Sequence, residues 1–432
     1  MRIAIVAPGS RGDVQPFVVL GRGLQRAGHA VRVVTHRNFE PLVLSQGLEF
    51  RVLAGDIGAI LRGEGGRDLM RKGRSVGGHV RHLMRIMQPM ARQLVTDVWE
   101  GCRDAEFLLT GGSGVFGGTA LAERLGLPLV RGFVQPVPAT PTRAFPCALM
   151  PPPPFPLGGW LNRLTHVLAE KAFVRTFRPA VERALTELVG PPPATGEARS
   201  RRPGQPLPTL YGFSTHVVPR PADWAPSVHV TGYWFLDRAP DWRPPANLVA
   251  FLDSGPPPVY VGFGSMGALD SRDTAVMVFE ALKLAGRRGI VLRSWGQHEE
   301  IETPDRVHVV DAVPHEWLFP QMAAVVHHGG AGTTASGLRA GVPSVIVHVF
   351  ADQPFWGRRV ADLGVGPQPI PHRRLTAQRL AQAIAAAATD GAMRQRAEEL
   401  GRAIRAEDGV ARAVAIVQSL VQAPSHVVSQ VR

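Results

Sequence analysis

The stretch VVHHGGAGTT, at residues 325–334, passes from an apolar run to two histidines, then to small residues and a pair of threonines. An apolar run that ends in a glycine-rich turn before a helical segment is typical of a parallel strand followed by its helix. Free N–H groups at the helix N-terminus favour an anion, and small residues let the anion approach closely. The stretch therefore predicts an α/β fold with an anion site, diphosphate being the natural ligand, at Gly330, Ala331, Gly332 and Thr333.

The two adjacent histidines raise the alternative of a metal site. Adjacent residues of a strand point to opposite faces, so His327 and His328 cannot easily bind one ion. No histidine pair at helical spacing lies nearby in the sequence. We therefore expect no metal, with His328 facing the anion and His327 buried. A glycine turn with a purely structural role is the remaining alternative.

The alternation of strand and helix extends through the chain. IAIVA at 3–7 is predicted to be a buried strand, followed by a turn, a helix over 16–27 and a second strand, VRVVT. VYVGFGS at 259–265 opens a second series, with helices near 272–286 and over 333–339, and three further helical segments at the end. This pattern predicts two Rossmann-like, doubly wound α/β domains.

A proline-rich, charged segment without periodicity, LDRAPDWRPPANL at 236–248, is interpreted as the linker between the two domains. The predicted division is therefore an N-terminal domain at 1–235, a C-terminal domain at 249–408 and a final helical segment at 409–432. A chain of 432 residues is longer than one core usually supports, which agrees with two domains.

The composition indicates a folded protein outside the secreted and membrane classes. Apolar residues make up 45% of the chain, and the mean hydropathy is +0.01. The cysteines, Cys102 and Cys147, lie outside any redox or zinc motif, and no apolar run reaches the roughly 18 residues of a membrane span. The apolar run before Pro8 is too short for a signal peptide. We expect a cytoplasmic protein, a monomer or homodimer, with reduced cysteines.

The formal charge of +13 comes almost entirely from arginine. The arginines are scattered, and no RNA-binding aromatic signature or Cys/His finger accompanies them, so we expect solvated basic faces and an anionic ligand rather than nucleic acid. A basic, Met-containing segment at 69–94 is predicted to be a helix packed on the first domain. A role in lining an acceptor pocket and contact with a membrane surface are the alternatives.

The first turn, GSRGDVQP at 9–16, carries an acid where open α/β sheets bind ligands. It matches neither the G-x-G-x-x-G dinucleotide fingerprint nor a P-loop. Asp13 is placed at or just before a helix, at the carboxyl end of the first strand. A chemical role for Asp13 competes with a simple role in capping that helix.

A second acid follows the strand PSVIVHV. Strands of a parallel sheet end at the same edge, so Asp352 and Gln353 are expected near the anion site. A carboxylate beside an amide offers acceptors and donors suited to sugar hydroxyls. Asp352 could also cap a helix, and a surface Gln is common.

With these residues placed, the sequence resembles a known family. The block DAVPHEWLFPQMAAVVHHGGAGTTASGLRAGVPSVIVHVFADQPFWGRRVADLGVG, at 311–366, resembles the nucleotide-sugar signature of the family 1 glycosyltransferases with the GT-B fold. The segment GSRGDVQPFVVLGRGLQRAGHAVRVVTH, at 9–36, resembles the opening of their bacterial natural-product and sterol branch. The resemblance is poor through roughly 55–100 and 134–210, where the family varies with its acceptors.

The resemblance implies an inverting, metal-independent transfer of a hexose from a UDP or dTDP sugar to a hydroxyl of a small lipophilic acceptor. It implies no cofactor beyond this donor substrate. The N-terminal domain would hold the acceptor and the C-terminal domain the donor, and the final helix would pack back on the N-terminal domain.

The resemblance also implies roles for single residues. Asp13 matches the general base, and its pKa would have to rise for it to suit an alcohol proton at neutral pH. His328 with the helix start matches the diphosphate element, and Asp352 with Gln353 matches the pair that holds the sugar. The remaining donor contacts implied are the phosphate-side groups Ser10, Gly12 and Ser265, and the backbone of Val313 beside the base.

Two departures leave the nucleotide open. Ala312 stands where plant relatives stack a tryptophan on uracil, and Ser336 stands where they hold the ribose with a glutamate. UDP and dTDP therefore both remain candidates. A nucleotide-sugar epimerase of the same fold and a non-catalytic partner that binds sugar nucleotides remain as alternative functions.

Overall fold

The computed structural model describes residues 1–55, 91–112, 114–137, 139–150, 158–191, 207–238, 241–264, 272–293 and 301–422. Within these ranges the strands form two sheets in which every pair is parallel. One sheet is built from residues before 236 and the other from residues after 248. Both have helices alternating with strands, so the predicted fold class is confirmed.

The first sheet has the strand order β3-β2-β1-β4-β5-β6-β7. Its strands are β1 (Arg2–Val6), β2 (Ala30–His36), β3 (Glu49–Leu53), β4 (Phe107–Gly111), β5 (Leu129–Phe133), β6 (Thr209–Tyr211) and β7 (Val228–Val230). The helices between them are α1 (Arg11–Arg26), α2 (Glu40–Ser45), α3 (Ala91–Cys102), α4 (Gly114–Leu125) and α5 (Gly159–Val189). The strand order reverses between β1 and β4, so the turn after β1 lies at the crevice where such sheets bind ligands.

The second sheet repeats this plan with the order β10-β9-β8-β11-β12-β13. Its strands are β8 (Val259–Gly262), β9 (Gly289–Leu292), β10 (Val307–Val310), β11 (Ala324–His327), β12 (Ser344–His348) and β13 (Ile370–Pro371). The remaining helices are α6 (Ala246–Asp253), α7 (Arg272–Leu284), α8 (His315–Leu318), α9 (Ala331–Ala340), α10 (Gln353–Asp362), α11 (Ala377–Thr389), α12 (Gly391–Arg405) and α13 (Gly409–Gln422). The order reverses between β8 and β11, so the turn that carries His328 lies at the equivalent crevice.

An apolar cluster joins the two halves. Tyr211, Phe213 and Trp224 of the first half pack in one buried cluster with Ile346 and Trp356 of the second. The rings of Phe213 and Trp356 meet edge to face, with centroids 6.3 Å apart. Buried aromatic contact of this kind holds the two halves together, and with them the crevices after β1 and after β11.

The last helix returns to the first half. Ala413, Val414 and Val417 of α13 lie in the same buried cluster as Phe17 and Leu20 of α1. The approach is close at Gly23, where a Cβ would come within 2.6 Å of a Val410 methyl carbon. A side chain at that point would force the valine methyl groups of α13 to shift.

The helices differ from the sequence expectations in three respects, two starting points and one count. The helix expected from residue 16 begins at Arg11, because Ser10 and Asp13 form a capping pair upstream of Pro16. The helix expected from residue 333 begins at Ala331, with Gly330 as its N-cap. Four helices, rather than three segments, follow β12 in the described part of the chain.

The basic segment at 69–94 falls almost wholly outside the described residues, and only residues 91–94 are seen, in the first turn of α3. Its predicted packing therefore stays a prediction. No helix in the described ranges is long and apolar enough to cross a bilayer.

Candidate functional site

The turn after β1 presents Asp13 through a local network. The Asp13 Oδ2 atom accepts hydrogen bonds from the Ser10 N–H, at 2.9 Å, and from the Ser10 hydroxyl, at 2.8 Å. Gly9 has φ +138°, and a Cβ there would lie 2.6 Å from the carboxylate. The Gly9 N–H donates to His36 Nε2 at 3.2 Å. Asp13 is thus the third residue of α1 and caps it, while Oδ1 receives no hydrogen bond from the described residues.

Burial raises the pKa of the Asp13 carboxyl. The two bonds from Ser10 and the charge of His36 act in the opposite direction, and they are smaller effects. A carboxylate with a raised pKa is a better acceptor for an alcohol proton at neutral pH. The pKa of Asp13 thus lies in the direction that a general base requires.

The turn after β11 builds the anion site. The first hydrogen bond within α9 runs from the Thr334 N–H to the Gly330 carbonyl, at 2.9 Å, so the N–H groups of Ala331, Gly332 and Thr333 have no partner within the helix. His328 lies over Gly330, where a Cβ would come within 2.5 Å of its Nε2 atom. Glycine at 330 therefore makes room for the imidazole at the helix start.

The two histidines of this turn occupy different environments. His327 is fully buried, and its Nδ1 atom accepts the Gly329 N–H at 3.1 Å. The two rings are 6.4 Å apart at an angle of 83°. The prediction that His327 is buried is confirmed. Burial lowers the pKa of His328 to about 4, so its imidazole is neutral at physiological pH.

The turns from the two halves meet. A Cβ placed on Gly332 would lie 3.6 Å from the Cα atom of Gly12. The N-termini of α9 and α1 therefore face one common space, and both carry the positive end of a helix dipole. Gly12 lies at this contact, and Ser10 is the N-cap of α1. Their contact with the donor phosphates stays a prediction.

Asp352 completes the arrangement from the end of β12. Its Oδ2 atom accepts the Trp356 indole N–H at 2.8 Å. Burial raises the pKa of Asp352 to about 7, the bond from Trp356 opposes this shift, and the charge of Asp13 adds to it. The carboxylates of Asp13 and Asp352 therefore interact across the interface between the two halves.

Gln353 supports the turn beside Asp352. Its side chain is buried, and Oε1 accepts the Val349 N–H at 2.7 Å and the Phe350 N–H at 3.2 Å. Ala351, just before Asp352, has φ +56°, in the left-handed region that only a well-held turn maintains. The amide oxygen of Gln353 is thus used to fix the turn, and its contact with a sugar stays a prediction.

The last two predicted donor-binding residues are Val313 and Ser265. Val313 precedes α8, and within the described residues neither its N–H nor its carbonyl makes a hydrogen bond. The pairing of its backbone with a base stays a prediction. Ser265 lies outside the described residues.

Sequence reasoning missed His315, which lies at the same edge. It stacks on Phe319 with ring centroids 4.2 Å apart. Burial, followed by the charges of Arg11 and His328, lowers its pKa to about 4. Its place directly after β10, at the carboxyl edge, was the signal that could have identified it. Among the described residues, no group of three or more His, Cys, Asp or Glu side chains could hold a metal.

Family models match both halves. The model described as "Glycosyltransferase family 28 N-terminal domain" matches residues 3–146. The model described as "Erythromycin biosynthesis protein CIII-like, C-terminal domain" matches residues 289–420. Among solved structures, the glycotransferase of kitacinnamycin aligns with a TM-score of 0.70 and 21% identity, over 97% of this chain and 98% of that one. Two facing doubly wound domains with this similarity define the GT-B class.

Sequence relatives narrow the class. The sterol 3-beta-glucosyltransferases UGT80A2 and UGT80B1 of Arabidopsis thaliana are each 37% identical to the chain, over 424 and 421 residues. The alignments cover 96% of this chain in both cases, and 64% and 67% of the relatives. The chain belongs to the family 1 glycosyltransferases with the GT-B fold, in the branch of the sterol and natural-product enzymes.

Proposed function

We propose that the chain transfers glucose from a UDP or dTDP sugar to a hydroxyl of a sterol-like acceptor, with inversion and without a metal. The observation that carries the proposal is the contact between Gly12 and Gly332, which brings two helix N-termini, His328 and two carboxylates to one interface. The sugar and the acceptor come from the names of the Arabidopsis relatives, of which the chain spans about two thirds.

The diphosphate of the donor would bind at the start of α9. The N–H groups of Ala331, Gly332 and Thr333 and the His328 imidazole supply donors there, and Ser10 and Gly12 approach from the other half. Negative charge grows on this diphosphate as the glycosidic bond breaks, and preorganised donors in a partly buried site stabilise it. This is the task that a metal ion performs in other transferases.

The reaction itself would be a single displacement with Asp13 as general base. Asp13 takes the acceptor hydroxyl proton while that oxygen attacks the anomeric carbon, and the nucleoside diphosphate leaves from the opposite face. Attack opposite to the leaving group inverts the anomeric centre. The raised pKa of Asp13 favours this transfer, and its bonds to Ser10 hold the carboxylate in place.

The sugar would lie between the two carboxylates. Asp352, whose pKa is near 7, offers acceptors to the sugar hydroxyls on the side of the C-terminal half, with Gln353 fixing its turn. In this division of labour, residues 249–408 form the donor domain and residues 1–235 the acceptor domain. Of the final segment, 409–432, the described helix Gly409–Gln422 packs back on the acceptor domain. The chain acts in the cytoplasm as a monomer or a homodimer.

The proposal is tested with the purified chain and a panel of donors and acceptors. UDP-glucose and dTDP-glucose are each incubated with a sterol, a macrolide and a phenol, with and without EDTA, and products are identified by mass and anomeric configuration. We expect a β-glucoside of the sterol, formed equally well with EDTA. Donor hydrolysis without any glycoside, or release of an epimerised sugar, would contradict the proposal.

A further inference from the structure

Asp352 stands at the N-cap of α10, yet its side chain accepts no backbone N–H from the first turn of that helix. Aspartate at this position usually caps through its carboxylate. Here the carboxylate is bound instead by the indole N–H of Trp356, one turn along the same helix, at 2.8 Å. The indole thus holds the Asp352 carboxylate in an orientation that differs from that of a capping carboxylate.

The indole is itself held from both halves of the molecule. Trp356 is 1% exposed and lies in the cluster shared by the two halves. Phe213, from the first half, meets its ring edge to face, and Phe355 also meets it edge to face, with centroids 5.2 Å apart. Phe355 in turn contacts Phe145 of the first half at 5.5 Å. The ring therefore has little freedom to turn away from Asp352.

We propose that Trp356 is a positioning residue for the donor sugar: its indole N–H fixes the Asp352 carboxylate toward the sugar site and ties it to the packing between the two halves. The inference rests on the proposed role of Asp352 in holding the sugar. It adds a residue that touches no substrate and acts only through Asp352.

Loss of the hydrogen bond from Trp356 should raise the pKa of Asp352. The bond from Trp356 is the larger of two effects that lower the pKa of Asp352 against burial and the charge of Asp13; the other is a hydrogen bond from the Asp352 backbone. Without the indole N–H, the carboxyl protonates at higher pH and loses its fixed direction. At neutral pH a larger fraction of Asp352 is then neutral, and a neutral carboxyl accepts a weaker hydrogen bond from a sugar hydroxyl than a carboxylate does.

Trp356→Phe keeps the aromatic packing and removes the N–H. Trp224→Phe is the matched control, because Trp224 lies in the same cluster and its indole donates to the Thr140 carbonyl at 3.0 Å. Titration calorimetry compares UDP with UDP-glucose for each protein. We expect Trp356→Phe to weaken the binding of UDP-glucose roughly tenfold, as for the loss of a hydrogen bond to a charged group. The affinity for UDP should not change. Trp224→Phe should change neither.

Two further measurements separate positioning from packing. Asp352→Asn combined with Trp356→Phe should bind UDP-glucose no more weakly than Asp352→Asn alone, because both act through one group. Infrared titration of the Asp352 carboxyl band, identified by its loss in Asp352→Asn, should show a higher pKa in Trp356→Phe and no change in Trp224→Phe. This second readout needs no donor, so it stands even if the proposed function fails.

The proposal is overturned if both phenylalanine variants weaken UDP and UDP-glucose alike, or if the carboxyl titration does not move. If Trp356→Phe does not fold, the wild-type protein decides the matter. The indole N–H resonance of Trp356 should then titrate together with Asp352 and stop titrating in Asp352→Asn, and a resonance indifferent to both would reject the proposal. A wild-type protein that binds UDP-glucose no better than UDP would instead reject the role of Asp352.

Discussion

Asp13 and Asp352 come from opposite halves of the molecule, and the charge of Asp13 adds to burial in raising the pKa of Asp352 to about 7. Burial is the larger cause of this shift, and the negative charge of Asp13 adds to it because like charges disfavour ionisation. Asp13 keeps its two bonds from Ser10, whereas Asp352 keeps one from Trp356. Asp13, the proposed base, and Asp352, the proposed sugar ligand, are thus held by different hydrogen-bond donors.

Gly330 tests the anion site. Gly330→Ala would place a Cβ 2.5 Å from His328 Nε2. The backbone can stay as it is, because its φ of −62° suits alanine, so the imidazole must rotate away from the helix start. We expect UDP binding to weaken about tenfold, the order of one lost hydrogen bond to a charged group, with little change in unfolding temperature. Calorimetric UDP titration and thermal unfolding measure the two quantities.

Gly391→Ala serves as the control for this variant. Gly391 is the first residue of α12, and a Cβ there meets nothing within 4 Å. It should leave UDP binding unchanged. Equal UDP affinity in Gly330→Ala and wild type would show that His328 does not contact the diphosphate.

Gly23 tests the return of α13 to the first half. Gly23→Ala pushes a Cβ against Val410, at 2.6 Å, and Val414, at 3.1 Å. Overpacking of this kind costs about 1–3 kcal/mol, which outweighs the gain of up to about 1 kcal/mol from replacing a helical glycine. Denaturant unfolding should therefore show a loss for Gly23→Ala, and combination with Val410→Ala should recover part of it.

Gly117→Ala is the matched control in α4, where a Cβ meets nothing within 4 Å. It should stabilise the protein or leave it unchanged. A Gly23→Ala variant as stable as Gly117→Ala would mean that α13 does not pack closely on α1 in solution.

Glu407 predicts a pH dependence of stability. Its side chain is 7% exposed, Oε1 accepts the Ser214 hydroxyl at 3.0 Å, and burial raises its pKa. A raised folded-state pKa means that the charged carboxylate costs stability at high pH, and that this cost fades as the group protonates on acidification. Glu407→Gln should therefore raise the unfolding temperature near pH 8, with a smaller gain near about pH 5.

Thermal unfolding at both pH values measures this difference. Glu398→Gln, on the exposed face of α12, is the reference substitution. A gain for Glu407→Gln that is the same at both pH values would indicate a packing effect instead of the titration of Glu407.

The architecture followed from sequence because its signals are local, and the location of the candidate site was predicted from the same signals. Apolar runs that end in glycine turns predicted both crevices, and Asp13 and His328 lie in these turns. Asp352 follows a third apolar run, PSVIVHVF, which ends without a glycine. Helix α5 gave no such signal, since few of its residues are buried: Asn162, His166, Ala184 and Leu185. An exposed helix needs no apolar stripe, so periodicity cannot reveal it.

The bond from Trp356 to Asp352 also escaped sequence reasoning. The spacing of four residues shows that the two side chains can meet on one helix face. The direction of the indole depends on Phe213, which is distant in sequence. The same is true of the contact between Gly12 and Gly332, because it depends on how two separately predicted domains face each other.

The most direct test of the account measures donor binding and product formation in one preparation of Asp13→Asn. Asparagine keeps the size of the side chain and can still accept the bonds from Ser10, but it cannot take the acceptor proton. Asp390→Asn, at the N-cap of α12, is the control, because asparagine caps a helix as well as aspartate does. We predict that Asp13→Asn binds UDP-glucose within about twofold of wild type and forms sterol glucoside about 10² to 10⁴ times more slowly. Wild-type turnover by Asp13→Asn with the donor bound would contradict the role of Asp13 as the general base.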